Sequence, residues 1–189
     1  MISRSFVLGY HGCDAAVARK VVSGDDQLLS STNQHDWLGN GQYFWEDSHS
    51  RALRWAKEEE VKKSGKVHQA AVLGAIIDLG NCLNLIDTEH LGLVQAAHTV
   101  YLEVCQATGD APAQNKGKDL SGRYLDCAVF ETLHQLRATN HQPSFDTVRA
   151  FFVEGQELYP TADLRSLDHI QICVRNPRSI IGYFLPREI

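Results

Sequence analysis

The chain has 189 residues, 43% of them hydrophobic and 22% charged, the composition of one ordinary globular domain large enough for a proper core. A formal charge of −5 gives no basic footprint for tight nonspecific binding to nucleic acid, and no apolar run approaches the length of a membrane span. The five cysteines, at 13, 82, 105, 127 and 173, contain no C-x-x-C pair, so neither a disulfide framework nor a structural zinc site is expected. Reduced, buried thiols point to the cytoplasm, and the N-terminal MISRSFVLGYHG lacks a signal-peptide pattern.

SFVLGY, residues 5–10, reads as a short buried strand. Asp14 stands where it can cap a helix over AAVARKVVS, and Gly24 ends that helix. DDQLLSSTNQHD has loop composition, and Tyr43–Trp45 reads as a strand. Asp47 or Ser48 then caps a helix through RALRWAKEEEVKKS, with Gly65 as its stop. AVLGAIIDL, residues 71–79, is a continuous apolar run suited to a central strand.

TEHLGLVQAAHTVYLEVCQATG carries apolar residues at helical spacing and closes at Gly109. Residues 110–121 form a linker too short to separate two domains, so residues 1–189 are expected to be one domain. RYLDCAVFETLHQLRA and FDTVRAFFV read as helices. HIQICV and SIIGYF read as the last strands, with Asn176-Pro177 as the turn between them. The class is α+β, with strands concentrated at both ends and helices in the middle.

Three places stand out chemically: Tyr10-His11-Gly12, the run Gly39-Asn40-Gly41-Gln42-Tyr43-Phe44, and His169-Ile170-Gln171. The glycine run is no dinucleotide fingerprint, because the third glycine is missing and no helix opens there for a pyrophosphate. Gln171 inside an apolar strand needs hydrogen-bond partners to offset its desolvation. "YHGCDAAVARKVVSGDDQLL" followed by "WLGNGQYFWEDSHSRALRWA" resembles the ADP-ribosyltransferase fold of the poly(ADP-ribose) polymerase and diphtheria-toxin branch, and "SLDHIQICVR" resembles its late motif strand. The resemblance covers about the first 57 residues and residues 166–175.

That resemblance implies a split β-sheet core with flanking helices and an NAD-binding site. His11 would hydrogen-bond the ribose of the adenosine half, and the Gly12 main chain would pair with the nicotinamide carboxamide. Tyr43 would stack on the nicotinamide ring, with Trp55 as the second stacking aromatic. The family serine that binds the carboxamide would be Ser48 or Ser50, while Arg51, nearest the family spacing, departs from the pattern. Gln171 would be the third motif residue where the family often has Glu, and Asp168 is its rival.

A carboxamide at 171 can accept a hydrogen bond from the ribose 2′-OH but cannot serve as a general base. The implied activity is therefore mono-ADP-ribosylation, with NAD as substrate and no metal. The implied acceptor is an intracellular macromolecule, protein, RNA or DNA, and the implied setting is a toxin with an antitoxin protein as candidate partner. The alternatives are a catalytically silent NAD or ADP-ribose binder, and a related NAD-using or RNA 2′-phosphotransferase reaction.

Overall fold

In the computed structural model the described residues, 6–62, 65–117 and 120–187, form seven strands and four α-helices. The first strand, β1, runs Phe6–Asp14, so Tyr10-His11-Gly12 lies within it and not after it. Asp14 caps α1 (Ala15–Ser23) by accepting a hydrogen bond from the Ala16 N–H, and Gly24 closes the helix. The 25–36 segment is mostly irregular and leads to β2 (Gln42–Glu46). Ser48 stands at the N-cap of α2 (His49–Val61), which ends before the expected stop at Gly65.

The second half departs further from expectation. After β3 (Ala70–Asp78) comes a short strand, β4 (Cys82–Asn84), which the sequence reading missed. The long helix α3 (Thr88–Thr108) and α4 (Tyr124–Thr139) follow as expected. The stretch expected to be a helix at 145–153 is instead a strand, β5 (Thr147–Phe152). Its β-branched and aromatic side chains suit a pleated surface, and it is paired on both edges, by β4 and by β6 (His169–Val174). The last strand is β7 (Ile180–Phe184).

The seven strands hydrogen-bond into one sheet of order β4-β5-β6-β2-β1-β3-β7, parallel only between β4 and β5. The Asn176-Pro177 segment therefore does not close a hairpin, because β6 lies beside β2 while β7 lies on the far edge beside β3. The class is α+β. The sheet parts at its centre, since β1 pairs with β3 along all nine of its residues but with β2 only at Gly9–Glu46 and Tyr10–Trp45. Beyond Tyr10 the two halves diverge.

Each face of the sheet carries its own apolar core. On one face Ala18 and Val21 of α1 pack with Phe44, Leu73, Ile77, Ile172 and Val174. On the other, α2 lies over β1 and β3, while Ala97 of α3 and Phe130 of α4 pack with Leu83, Val148 and Cys173. Alternation along β2 thus sends Phe44 to the first core and leaves Tyr43 and Trp45 on the second face.

A two-bond ion pair ties the strands on either side of β6. Arg149 of β5 donates from Nε to Glu46 Oε2 at 2.5 Å and from Nη2 to Glu46 Oε1 at 2.8 Å. Their side chains are only 19% and 9% exposed, so losing the cation strands a nearly buried carboxylate. Arg149→Leu is expected to lower unfolding stability by about 3 kcal/mol in denaturant titrations, the lower end of what breaking a buried pair costs.

Candidate functional site

The site grows from the place where β1 leaves β2. Alternate residues of a strand point their main-chain groups to the same side. Leu8 C=O accepts from Asp47 N–H on the β2 side at 2.9 Å, so Gly12, of the same parity, also turns its N–H and C=O that way. It lies past the last β1–β2 pair, and its peptide groups face the gap.

His11 fills part of that gap. Its ring packs 5.8 Å from the Phe44 ring, and Nδ1 lies 2.8 Å from Tyr43 O. A carbonyl can only accept, so Nδ1 carries the proton and Nε2 presents a lone pair. Burial holds the His11 pKa below its ordinary value, against the smaller opposite pull of the Tyr43 carbonyl, so the ring is neutral near pH 7.

Tyr43 is held by its hydroxyl, which donates to Gly39 O at 2.5 Å and accepts from Leu38 N–H at 2.9 Å. Burial drives its phenol pKa far up. The turn beneath it is clamped from α4 and from the residue just past β6. Glu131 Oε1 accepts from Asn40 N–H at 2.8 Å, and Arg175 Nη1 bonds both Asn40 O and Glu131 Oε1. A Cβ on Gly41 would come within 2.5 Å of Cys173 Sγ and 2.7 Å of Val174 O, so the turn approaches β6 too closely for any other residue. Gly12 is constrained the same way, with Ala52 O of α2 only 2.3 Å from where a Cβ would sit.

His11, Gly12, Tyr43, Trp55 and Gln171 all line one cleft of about 420 Å³ on the second face. Gln171 pairs directly with Trp45 across β6–β2, which puts it on the cleft face. Asp168 does not line the cleft. Its carboxylate accepts from the Glu154 and Arg165 N–H groups at 3.0 and 2.8 Å and so holds the loop before β6. Ser50 is exposed on the outer side of α2, and Ser48, at the N-cap position, does not line the cleft; Arg51 lines it instead.

Five of the seven buried side-chain polar atoms without a hydrogen-bond partner among the described residues belong to this cleft. They are Trp45 Nε1, Arg51 Nε and Nη1, His169 Nε2 and Gln171 Oε1. Unpaired buried polar atoms are costly in a finished fold, and their concentration here singles this cleft out as the candidate site. The set is complementary in kind: Arg51 and Trp45 offer donors. His169 donates from Nδ1 to Leu167 O at 2.8 Å and therefore offers an acceptor at Nε2, as Gln171 does at Oε1.

Arg51 Nη2 is bonded to Glu154 Oε2 at 2.9 Å, and the guanidinium carbon lies 5.2 Å from the centre of the Trp45 ring. Among the described residues no cluster of metal-ligating side chains is present.

No family model matches the chain, and no solved structure matches it. The chain is similar to the uncharacterized protein MJ0359 of the archaeon Methanocaldococcus jannaschii, 26% identical over 191 residues that cover 90% of this chain and 83% of that one. The likeness spans the domain and carries no activity with it.

Sequence reasoning passed over Trp45 and Glu154. Trp45 had a signal, since it stands two residues from Tyr43 and so on the same strand face. Glu154 had none: it follows a stretch read as helix, and only the β5–β6 connection brings it to Arg51.

Burial, the largest cause in each case, holds the imidazoles of His11, His169 and His134 below the ordinary 6.5, the last at about 4. The unfolded chain binds these protons as pH falls below 6.5 while the fold refuses them, so stability is fully present above 6.5 and declines toward pH 4. Denaturant midpoints measured across that window are expected to fall, and His134→Gln to flatten the decline. In the same assay Tyr43→Phe is expected to cost about 1–3 kcal/mol, because it leaves Gly39 O and Leu38 N–H without their partner.

Proposed function

We propose that this chain is an NAD-dependent mono-ADP-ribosyltransferase of the cytoplasm that modifies a macromolecule, protein or nucleic acid, in the manner of a toxin held by an antitoxin protein. The observation that carries the reading is the convergence of His11, Gly12, Tyr43, Trp55 and Gln171 on one cleft at the parting of β1 and β2, although up to 160 positions separate them in the chain. These are residues the likeness to ADP-ribosyltransferases assigns to NAD. Among the described residues no helix is long and apolar enough to cross a membrane.

On this reading the nicotinamide ring lies between the Tyr43 and Trp55 rings, and its carboxamide pairs with the outward N–H and C=O of Gly12. Arg51, with Nε and Nη1 unpartnered, supplies the donor that a serine supplies in the family pattern. His11 Nε2 accepts from a ribose hydroxyl, and Gln171 Oε1 accepts from the 2′-OH of the nicotinamide ribose. The bond between the nicotinamide nitrogen and ribose C1′ breaks with its electron pair passing to nicotinamide, through an oxocarbenium-like state. The acceptor's nucleophile then bonds C1′ and releases its proton. An amide at 171 orients the sugar but takes no proton, which favours one transfer over chain growth.

The neutral residue at 171 also fits a silent NAD-binding module, and turnover separates the two. Incubation of the protein with labelled NAD and cell lysate is expected to transfer label to a macromolecule, with protease and nuclease digestion identifying which. Gln171→Ala should lower the rate about a hundredfold with little change in NAD affinity, since the lost bond acts mainly as the sugar flattens. Gln171→Glu should retain activity. NAD binding without label transfer to any lysate fraction would leave only the binding module, and label transfer unchanged in Gln171→Ala would remove that residue from the mechanism.

A further inference from the structure

We infer that Glu154 sets the specificity of the cleft: by neutralising Arg51 it makes the Arg51–Trp45 end a site for a neutral carbonyl group, a pyridine carboxamide, and a poor one for the corresponding carboxylate. The inference rests on the NAD reading and adds to it which of two closely related dinucleotides the cleft accepts.

Arg51 is nine-tenths buried, with its side chain 10% exposed, and two of its nitrogens have no hydrogen-bond partner. An isolated guanidinium there would select an anion, through charge-assisted bonds to a carboxylate or phosphate. Glu154 alters that choice. Its Oε2 takes only Nη2, so the charge is balanced while the Nε and Nη1 donors still lack acceptors. Donors without net charge are the complement of a carbonyl oxygen. A second carboxylate would meet Glu154 across the same guanidinium, and the repulsion between the two acids opposes its binding.

No other described group facing this end restores a positive excess. His169, whose Nδ1 stands 3.6 Å from Glu154 Oε2, is held neutral by burial. The charged residues lining the cleft are Arg51 and Lys66 against Asp36 and Glu154, two of each sign. Trp45 Nε1 adds a neutral donor beside Arg51.

Glu154 also sits where its side chain can change without loss of the loop. Its own N–H donates to Asp168 Oδ1 at 3.0 Å, and its C=O accepts from Leu167 N–H at 2.9 Å, so the main chain anchors the position. Its side chain is 31% exposed, at the rim of the cleft.

The test compares NAD with nicotinic acid adenine dinucleotide, which differs only in having a carboxylate for the carboxamide, by titration against the full chain and the Glu154→Gln variant. The wild type is expected to prefer NAD by about tenfold or more. Glu154→Gln should tighten the carboxylate dinucleotide by about tenfold, with a new dependence on salt, and Arg51→Met added to it should abolish that gain. Glu154→Ala should give the same switch if the glutamine variant folds poorly. A wild type that binds both dinucleotides equally, or a ratio unmoved by Glu154→Gln and Glu154→Ala, overturns the inference while leaving the NAD reading intact. Failure of the wild type to bind either dinucleotide overturns the NAD reading itself, and this inference with it.

Discussion

The hydrogen bond from His11 Nδ1 to Tyr43 O is the constraint on which the cleft depends. When two strands of a sheet diverge, the peptide groups past the last pair lose their partners, and a buried carbonyl left unpaired is costly. Tyr43 O is such a group, since the β1–β2 ladder stops at Tyr10–Trp45. The His11 ring supplies the missing donor across a gap too wide for another main-chain bond. The sheet can therefore part without leaving a broken ladder. The bond also settles two further properties, the tautomer and the lone pair at Nε2, while burial keeps the ring neutral against the bond's opposing pull.

For that bond to form, β2 must arrive at a definite height and angle, and the segment before it is built to that end. The Gly39-Asn40-Gly41 turn presses against β6 at Cys173 and Val174, where only a glycine at 41 fits. Glu131 and Arg175 grip the main chain of Asn40 from two different elements. Burial raises the Glu131 pKa, but the Arg175 guanidinium and the Asn40 N–H outweigh it, so the carboxylate stays ionised and the grip persists. Tyr43 then closes the turn on itself through its hydroxyl, leaving the ring as a wall. The glycine turn and the aromatic cluster after it are one device, in which close backbone approach fixes the rings.

What could be read from the chain alone follows from which interactions are local. The caps of α1, the 43–45 strand and the late strand with Gln171 depend on residues near in sequence, and they were legible. FDTVRAFFV misled because its apolar spacing fits a helix as well as a strand. Its state is decided by β4 and β6, partners whose pairing no local pattern reveals. The site divides the same way. Gly12, Tyr43 and Gln171 announce themselves by residue type and setting. Arg51 was visible only as a departure from a family pattern, and Ser50 was misassigned because helical phase turns it away from the cleft. Glu154 depends on a long connection between strands and left no trace.

The distribution of charge explains why an amide and not a carboxylate stands at 171. Gln171 is 9% exposed, and its Oε1 has no donor among the described residues. A carboxylate there would be desolvated without a partner, and its pKa would rise until it took up a proton. The acid that faces Arg51 stands at the rim instead, at Glu154, 31% exposed and bonded to the guanidinium. Floor and rim thus divide two tasks that one glutamate would have to combine. The buried amide offers an acceptor whose strength does not change with pH, and the rim acid balances the one guanidinium the cleft needs for its donors. The cleft keeps its hydrogen-bonding capacity high and its net charge low, a combination suited to binding a group that is polar but uncharged.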